Sequence, residues 1–320
     1  MDEFQIIKTI FAPLAGEGAF GLTDDAAIIR ARPGFDLVVT TDAIAEGTDF
    51  FAFDPSGSVA QKALRVNLSD LAAKGAVPHA YLLSLALPPS INVDWLTAFA
   101  AGLAQDQTEF AITLLGGDTG RTEGPLAISV TAFGFVQHGG MVRRSGARAG
   151  DDVYVTGTIG DSGGGLAIYK REKHTLDEPQ RDALLARYRM PQPPVRFGPA
   201  LRDLASAAAD VSDGLIADLG HIADASAVQL VLDADLVPRS DALRAFWGEE
   251  DAAIVRATTA GDDYQIVFTA APNRHAEVIK AANYYRTQVT RIGRVEAGTG
   301  VELTRQGRAL PVLRPGYQHF

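Results

Sequence analysis

A chain of 320 residues carrying 39 Asp and Glu against 29 Lys and Arg, for a net charge of −10, lacks the basic face that a nucleic-acid phosphate backbone demands. It contains no cysteine, which removes disulfides, cysteine-ligated zinc, iron–sulfur clusters and thiol nucleophiles together. No apolar run reaches the roughly 18 to 20 residues of a membrane span, and MDEFQIIKTI lacks the basic start of a secretory signal, so a soluble cytoplasmic protein of two domains is expected.

Residues 36–41 (DLVVTT), 80–87 (AYLLSLAL), 110–116 (FAITLLG) and 126–135 (LAISVTAFGF) are short, apolar and rich in β-branched or aromatic side chains, and read as strands. Between them, 58–75 places Val59, Ala63, Val66 and Leu71 on one helical face, and 93–107 does the same with Val93, Leu96, Ala100 and Leu103. The alternation predicts an α/β domain. At 137–151 (QHGGMVRRSGARAGD) the apolar pattern gives way to glycine and basic residues, which marks a domain boundary. Beyond it, strands are expected at 152–156, 228–232, 264–269 and 289–295, and helices near 163–172, 196–206, 213–226 and 273–283. The stretch 172–194, charged and then proline-rich (MPQPP), reads as a helix followed by a surface connection.

Aspartates recur where strands end and turns begin: TDDAA (23–27), TTDA (40–43), NLSD (67–70), GGDTGR (116–121) and DVSDG (210–214). Loops at strand ends are where sites form on α/β scaffolds, and Mg²⁺ prefers hard oxygen donors supplemented by phosphate and water. Any one of these motifs taken alone is more readily an Asx-turn or helix N-cap than a ligand, so the set carries the argument and no single member does. Asp70 stands apart, because it sits in a helical segment whose neighbours Leu68 and Leu71 face the core, where an uncompensated carboxylate is costly.

The run VTGTIGDSGGGLA (155–167) follows a strand and opens a helix, a geometry that suits either a phosphate cradle or a tight turn with close helix packing. It is neither a Walker loop nor a dinucleotide fingerprint. The histidines at 79, 138, 174, 221, 275 and 319 show no metal-ligand spacing and read as structural or surface residues, and no serine motif resembles a nucleophile elbow.

Taken in order, TDDAA, TTDAIAEGTDF, NLSDLAAKGA, LLGGDTGR, RRSGARAGDDVYVTGTIGDSGGGLA, DVSDGLIADLGHI, AGDDYQIVF and GYQHF resemble the thiamine-monophosphate kinases from about residue 20 onward. That family shares a superfamily with aminoimidazole-ribonucleotide synthetase, selenophosphate synthetase and a hydrogenase-maturation dehydratase. The resemblance implies two α/β domains. Residues 1–137 form an N-terminal domain that binds ATP and Mg²⁺ and pairs with a second copy into a barrel-like homodimer interface. Residues 138–320 form a C-terminal α/β domain completing the nucleotide and substrate site. It also implies metal ligands at Asp25, Thr40, Thr41, Asp42, Asp70, Asp118, Asp210 and Asp213. ATP contacts fall on Phe110, Gly117, Asp118, Arg144 and Ser212, and contacts to the acceptor on Asp49, Asp262 and Tyr317.

The chain departs from the family at three places: Asp49 stands where His is common, Asp262 where Glu is common, and Thr23 where Gly is common. The sister enzymes that depend on a cysteine or selenocysteine are set aside by the absence of cysteine. The implied reaction is direct, Mg²⁺-assisted, in-line transfer of a phosphoryl group from ATP to thiamine monophosphate without a general base, because a phosphate monoester is already anionic near pH 7. Two other readings stay open at this point: an ATP-dependent enzyme of the same superfamily with another acceptor, and a non-catalytic Mg²⁺–nucleotide-binding protein.

Overall fold

The structure is a computed structural model and describes residues 3–318. The chain divides into two compact units, one made of Met1–Leu71 and Ala76–Gly140, the other of Ala72–Gly75 and Met141–Phe320. Both mix helices with an open sheet.

The first unit starts with a short helix, α1 (Glu3–Ile6), that runs on as irregular helical turns to Leu14, a region the sequence pattern left unassigned. Its four strands are β1 (Phe35–Ala45), β2 (Val77–Leu87), β3 (Thr113–Arg121) and β4 (Ala127–Gln137), in the order β1-β4-β2-β3. Only β2 and β3 pair in parallel. Helices α2 (Ser56–Ala73) and α3 (Val93–Phe110) lie on one face, where Asn67 of α2 accepts a hydrogen bond from the Asp42 N–H and Gln107 of α3 donates to the Tyr81 hydroxyl. The helices touch at two glycines: a Cβ at Gly102 would come within 2.3 Å of the Gly57 carbonyl oxygen. The opposite face exposes Leu37 and Val39 of β1, paired across the ladder with Phe135 and Phe133.

Strand boundaries differ from expectation: β1 runs on to Ala45 and β3 to Arg121, so Asp42 and Asp118 lie within strands and not in the turns beyond them, and β3 starts later than expected. Phe110 closes α3 instead of opening a strand, because the helix runs a further turn until Ala111 adopts the left-handed conformation (φ 53°), and β3 begins at Thr113.

The second unit is a seven-stranded mixed sheet ordered β11-β10-β7-β9-β5-β8-β6. In chain order its elements are β5 (Asp152–Thr156), α4 (Asp161–Tyr169), α5 (Glu178–Arg189), α6 (Leu201–Leu204), β6 (Ala207–Asp210), α7 (Leu215–Ser226) and β7 (Gln229–Asp233). Then follow α8 (Asp241–Trp247), α9 (Asp251–Thr258), β8 (Ile266–Ala270), α10 (His275–Tyr285), β9 (Val289–Glu296), β10 (Gly300–Arg305) and β11 (Arg308–Ala309). Val153, Val155, Leu215, Leu219, Ile222, Leu230, Val267 and Ile292 form its core, which places the apolar stripe of α7 directly on the sheet.

Two expectations fail here for physical reasons. The helix expected over 196–206 survives only as a 3₁₀ turn at Gly198–Ala200 and the single turn of α6, in a stretch interrupted by Pro199. The connection after α5 is not superficial: Pro191, Pro193, Val195 and Phe197 are all buried.

Among the described residues no helix is long and apolar enough to cross a membrane.

Candidate functional site

In the first unit the strand pleat sorts the acidic motifs onto two faces. Thr40 points to the helices and donates its hydroxyl to Asp70 Oδ2 at 2.5 Å, and the Asp42 backbone N–H is fixed 3.0 Å from the Asn67 side-chain oxygen. Asn67 is fully buried and donates in turn to the Ala63 carbonyl, so NLSD reads as a latch holding α2 against β1. Thr41, the next residue along, lies on the open face within 3.1 Å of the Thr131 hydroxyl.

On that open face a cleft of about 650 Å³ is bounded by Phe11, Asp24, Asp25, Leu82, Ser84, Gly116, Gly117, Asp118 and Thr131. The structure therefore brings Asp25 of TDDAA together with Gly117 and Asp118 of GGDTGR. Asp24 accepts the Asp25 N–H at 2.8 Å. Gly117 is obligatory, because a Cβ there would lie 1.7 Å from the Leu83 carbonyl oxygen. Carboxylates exposed in a cleft with threonine hydroxyls beside them form an all-oxygen donor set, which fits Mg²⁺.

Asp49 has a local role in the turn that follows β1. Its Oδ2 accepts the Ala45 N–H at 2.7 Å and closes the EGTD turn, while its carbonyl accepts from the buried Lys62 ammonium, also at 2.7 Å. Phe110 stands apart from the cleft lining and lies under the Arg65 guanidinium, 5.3 Å from ring centroid to Cζ. Arg65 is itself buried and held by Asp106 at 2.8 Å.

In the second unit β6 ends at Asp210, which is buried, and the chain turns through DVSDG into α7. Buried Asp218, one turn into that helix, accepts the N–H groups of Ser212 (3.0 Å) and Asp213 (3.1 Å) on Oδ2. Burial foremost, then the Asp213 charge, pushes the Asp218 carboxyl up to about 7. AGDDY is clipped onto the same turn, Asp262 N–H donating to the Ser212 carbonyl (2.8 Å) and Tyr264 N–H to that of Val211 (2.7 Å). The Tyr317 N–H donates to the Asp213 carbonyl at 2.9 Å. Ser212, Asp213, Asp262 and Tyr317 are thus gathered at one loop, with Arg144 near enough to act on the Asp218 charge. Asp262 and Tyr264 both hold left-handed backbone (φ 70° and 50°), a strain typical of functional loops.

The glycine-rich run turns out to be a packing device. Its helix N-terminus is already occupied, since buried Asp263 accepts the Gly160 N–H at 2.6 Å and the Ser162 N–H at 3.3 Å. A Cβ at Gly165 would lie 2.3 Å from the Leu184 carbonyl oxygen, so the glycines let α4 and α5 pack closely. Burial pushes the Asp263 carboxyl well above the usual carboxylate range.

Sequence reasoning missed Asp218, Asp263 and His221. His221 is on the surface, as one of the two alternatives for the histidines has it, and an oxygen of Asp213, an oxygen of Asp218 and a ring nitrogen of His221 all lie within 4.8 Å of one another. The signal was the i, i+3 spacing of Asp218 and His221 behind an Asp-rich turn. His319 lies outside the described residues.

Known proteins resemble this arrangement over nearly its full length. The AIR synthase related protein N-terminal domain family matches residues 23–136 and its C-terminal counterpart matches 148–306. The thiamine-monophosphate kinase of Caulobacter vibrioides is 41% identical over 99% of this chain and 90% of that protein. The crystal structure of thiamine-monophosphate kinase from Stenotrophomonas maltophilia superposes with a TM-score of 0.86 at 41% identity, covering 97% of this chain and 98% of that one. The structure of AaThiL complexed with AMPPCP and TMP superposes with a TM-score of 0.80 at 32% identity, covering 99% and 97%. With identity of this order maintained from end to end, the chain belongs to the thiamine-monophosphate kinase family.

Proposed function

We infer that this chain transfers the γ-phosphoryl group of ATP to thiamine monophosphate, giving thiamine diphosphate and ADP. The observation that carries this reading is its full-length likeness to a relative complexed with AMPPCP and TMP. The cleft that joins Asp25 to Gly117 and Asp118 supplies the chemistry the reaction needs.

The attacking group is a phosphate oxygen, ionised near neutrality because its second pKa is about 6, so no side chain has to remove a proton. The protein's task is alignment and charge compensation between two polyanions. Asp25, Thr40, Thr41, Asp42, Asp70, Asp118, Asp210 and Asp213 would hold Mg²⁺, which supplies Lewis-acid charge neutralisation when bound. Gly117 leaves space for a phosphate to approach the backbone, Arg144 offers a forked cation to phosphate oxygens, and Ser212 and Phe110 serve the nucleotide. Asp49 and Asp262 place negative charge, and Tyr317 an aromatic face, where a cationic thiazolium is favoured. The exposed Leu37 and Val39, with Phe133 beside them in the ladder, suit a homodimer in which two such sheets pair face to face. A cytoplasmic location accords with this biosynthetic role.

The test is to incubate purified protein with ATP, Mg²⁺ and thiamine monophosphate and to separate the products by chromatography. Thiamine diphosphate is expected, with free thiamine and other monoesters ignored. Phosphorylation of a different monoester in its place would retain the phosphotransferase reading and remove the acceptor, and ATP binding without turnover would remove both.

A further inference from the structure

We propose that Asp263 is a positioning residue for the phosphoryl acceptor: its buried carboxylate ties the loop that presents Asp262 to the start of α4, and so fixes where the cationic ring of the acceptor is held. The proposal rests on the reading of Asp262 as an acceptor contact and deepens it.

The loop 259–265 joins α9 to β8 and carries two non-glycine residues in left-handed backbone, Asp262 (φ 70°) and Tyr264 (φ 50°), one on either side of Asp263. Backbone of this kind persists only where its surroundings over-determine it. The main-chain ties of Asp262, Tyr264 and Gln265 all run to one short segment. The Asp262 N–H donates to the Ser212 carbonyl, the Tyr264 N–H to the Val211 carbonyl, and the Val211 N–H to the Gln265 carbonyl. A Cβ at Gly261 would lie 2.6 Å from the Ser212 carbonyl oxygen, so the loop meets that segment backbone to backbone. Bonds to a single segment leave a loop able to pivot about it. Asp263 supplies a tie to a different element, its Oδ2 accepting the Gly160 N–H at 2.6 Å and its Oδ1 the Ser162 N–H at 3.3 Å, and a second anchor removes that freedom.

Burial sorts the side chains of the loop by task. Asp263 and Gln265 are buried, Gln265 accepting from the Thr156 hydroxyl at 2.9 Å and donating to the Gln192 carbonyl at 3.1 Å. Asp262 and Tyr264 are only half-buried, and the Tyr264 hydroxyl donates to Asp262 Oδ1 at 3.3 Å. The carboxylate offered to the acceptor is thus the immediate neighbour of the carboxylate that is locked to α4. Each oxygen of Asp263 meets one N–H group, whereas an amide could accept on its oxygen alone and would turn its NH₂ toward a second donor. Even an isosteric replacement therefore loosens the loop. Attraction between Asp262 and a fixed positive charge falls with distance, so a displaced loop is felt as weaker acceptor binding.

The test uses the full chain with Asp263→Asn, which loses one accepted N–H, and Asp263→Glu, which sets the loop further from α4. Circular dichroism checks the fold of each, and one folded variant is enough. Turnover of thiamine monophosphate with ATP and Mg²⁺ should show KM for thiamine monophosphate raised roughly fivefold, with kcat and KM for ATP within about twofold of wild type. A carboxylate that served the fold alone would lower the active fraction, hence kcat, and leave the acceptor constant where it was. Hydrogen exchange reads the loop without reference to activity: the Asp262 and Tyr264 amides should exchange faster in the variant while those of β7 keep their protection. An unchanged KM for thiamine monophosphate in a folded variant, or loop amides protected as in wild type, overturns the proposal. Loss of the fold in both variants would assign the carboxylate to stability and overturn it too. Failure of the wild type itself to use thiamine monophosphate would remove the acceptor reading and this proposal with it, and the wild-type assay alone tells that result from the others.

Discussion

The carboxylates at the candidate sites of the two units are handled in opposite ways. In the first, Asp25, Asp42 and Asp118 stand exposed on or beside regular strands. In the second, Asp218 and Asp263 are buried, each accepts two backbone N–H groups, and the loops they hold include residues in left-handed backbone. Exposed carboxylates on a rigid sheet are accessible to a ligand, and replacing one should affect chemistry more than stability. Buried ones that organise loops should behave in the reverse manner.

The largest effect is therefore expected at Asp118. Asp118→Asn keeps the shape of the side chain and removes its charge from the cleft, and phosphoryl transfer should fall on the order of 100-fold or more. The melting temperature should stay within a few degrees of wild type, because the residue is exposed. Wild-type turnover in this variant would remove Asp118 from the proposed ligand set.

At Asp263 the comparison predicts the opposite balance. Asp263→Ala leaves the buried N–H groups of Gly160 and Ser162 without an acceptor, at about 1–3 kcal/mol each, so the chain should lose roughly 2–5 kcal/mol of stability. Urea denaturation reads this directly. Asp263→Asn retains an acceptor oxygen and should lose appreciably less. Equal stability of the Ala variant and wild type would mean that the carboxylate does not organise the loop.

The sequence showed the first unit more clearly than the second, for reasons found in particular residues. Strand β1 alternates Val38 inward with Leu37 and Val39 outward, and α2 repeats Val59, Ala63 and Val66, so period alone located both. Strand β6 is Ala-Ala-Ala-Asp, too short and too poor in β-branched side chains to register, and it exists because β8 pairs with it. The DVSDG and AGDDY motifs were visible, but their joining through the Ser212 and Val211 carbonyls is a long-range contact with no local signature. Asp263 was hidden for the same reason, its partners lying about a hundred residues earlier in the chain.

A smaller effect is expected at Asp262, which sits between these extremes: its backbone is clipped to Ser212, yet its side chain is only partly buried. Asn tolerates left-handed backbone about as well as Asp does, so Asp262→Asn should leave stability unchanged. Loss of one negative charge beside a cationic acceptor should raise KM for thiamine monophosphate by about 5- to 10-fold, roughly 1 kcal/mol, and leave KM for ATP alone. A change in the ATP constant and not in the acceptor constant would reverse the assignment.

The smallest effect belongs to Asp36, which makes in solvent the kind of bond that Asp263 makes under cover. Its carboxylate lies 2.8 Å from the His138 ring nitrogen and accepts the Gly139 N–H, also at 2.8 Å, joining the start of β1 to the residues that follow β4. The Gly139 N–H first, then His138, hold the Asp36 carboxyl below the usual carboxylate range, and the Asp36 side chain raises the His138 imidazole above its ordinary value. A depressed carboxylate contributes stability that is lost as pH falls through its folded pKa. A raised imidazole contributes stability that is lost as pH rises through its own. The pair is therefore at full strength between the ordinary pKa values of the two groups, about 4 and 6.5, and fades as pH rises through the raised His138 pKa. Both groups are exposed and solvent screens them, so thermal melts at pH 5.5 and 8 should differ little on this account. Nuclear magnetic resonance titration is the sensitive measurement: the His138 ring should titrate above 6.5 in wild type and return toward that value in Asp36→Asn. An unaltered His138 titration in the variant would mean that the contact does not persist in solution, and that this exposed pair, unlike the buried Arg65–Asp106 pair of the same unit, carries no structural duty.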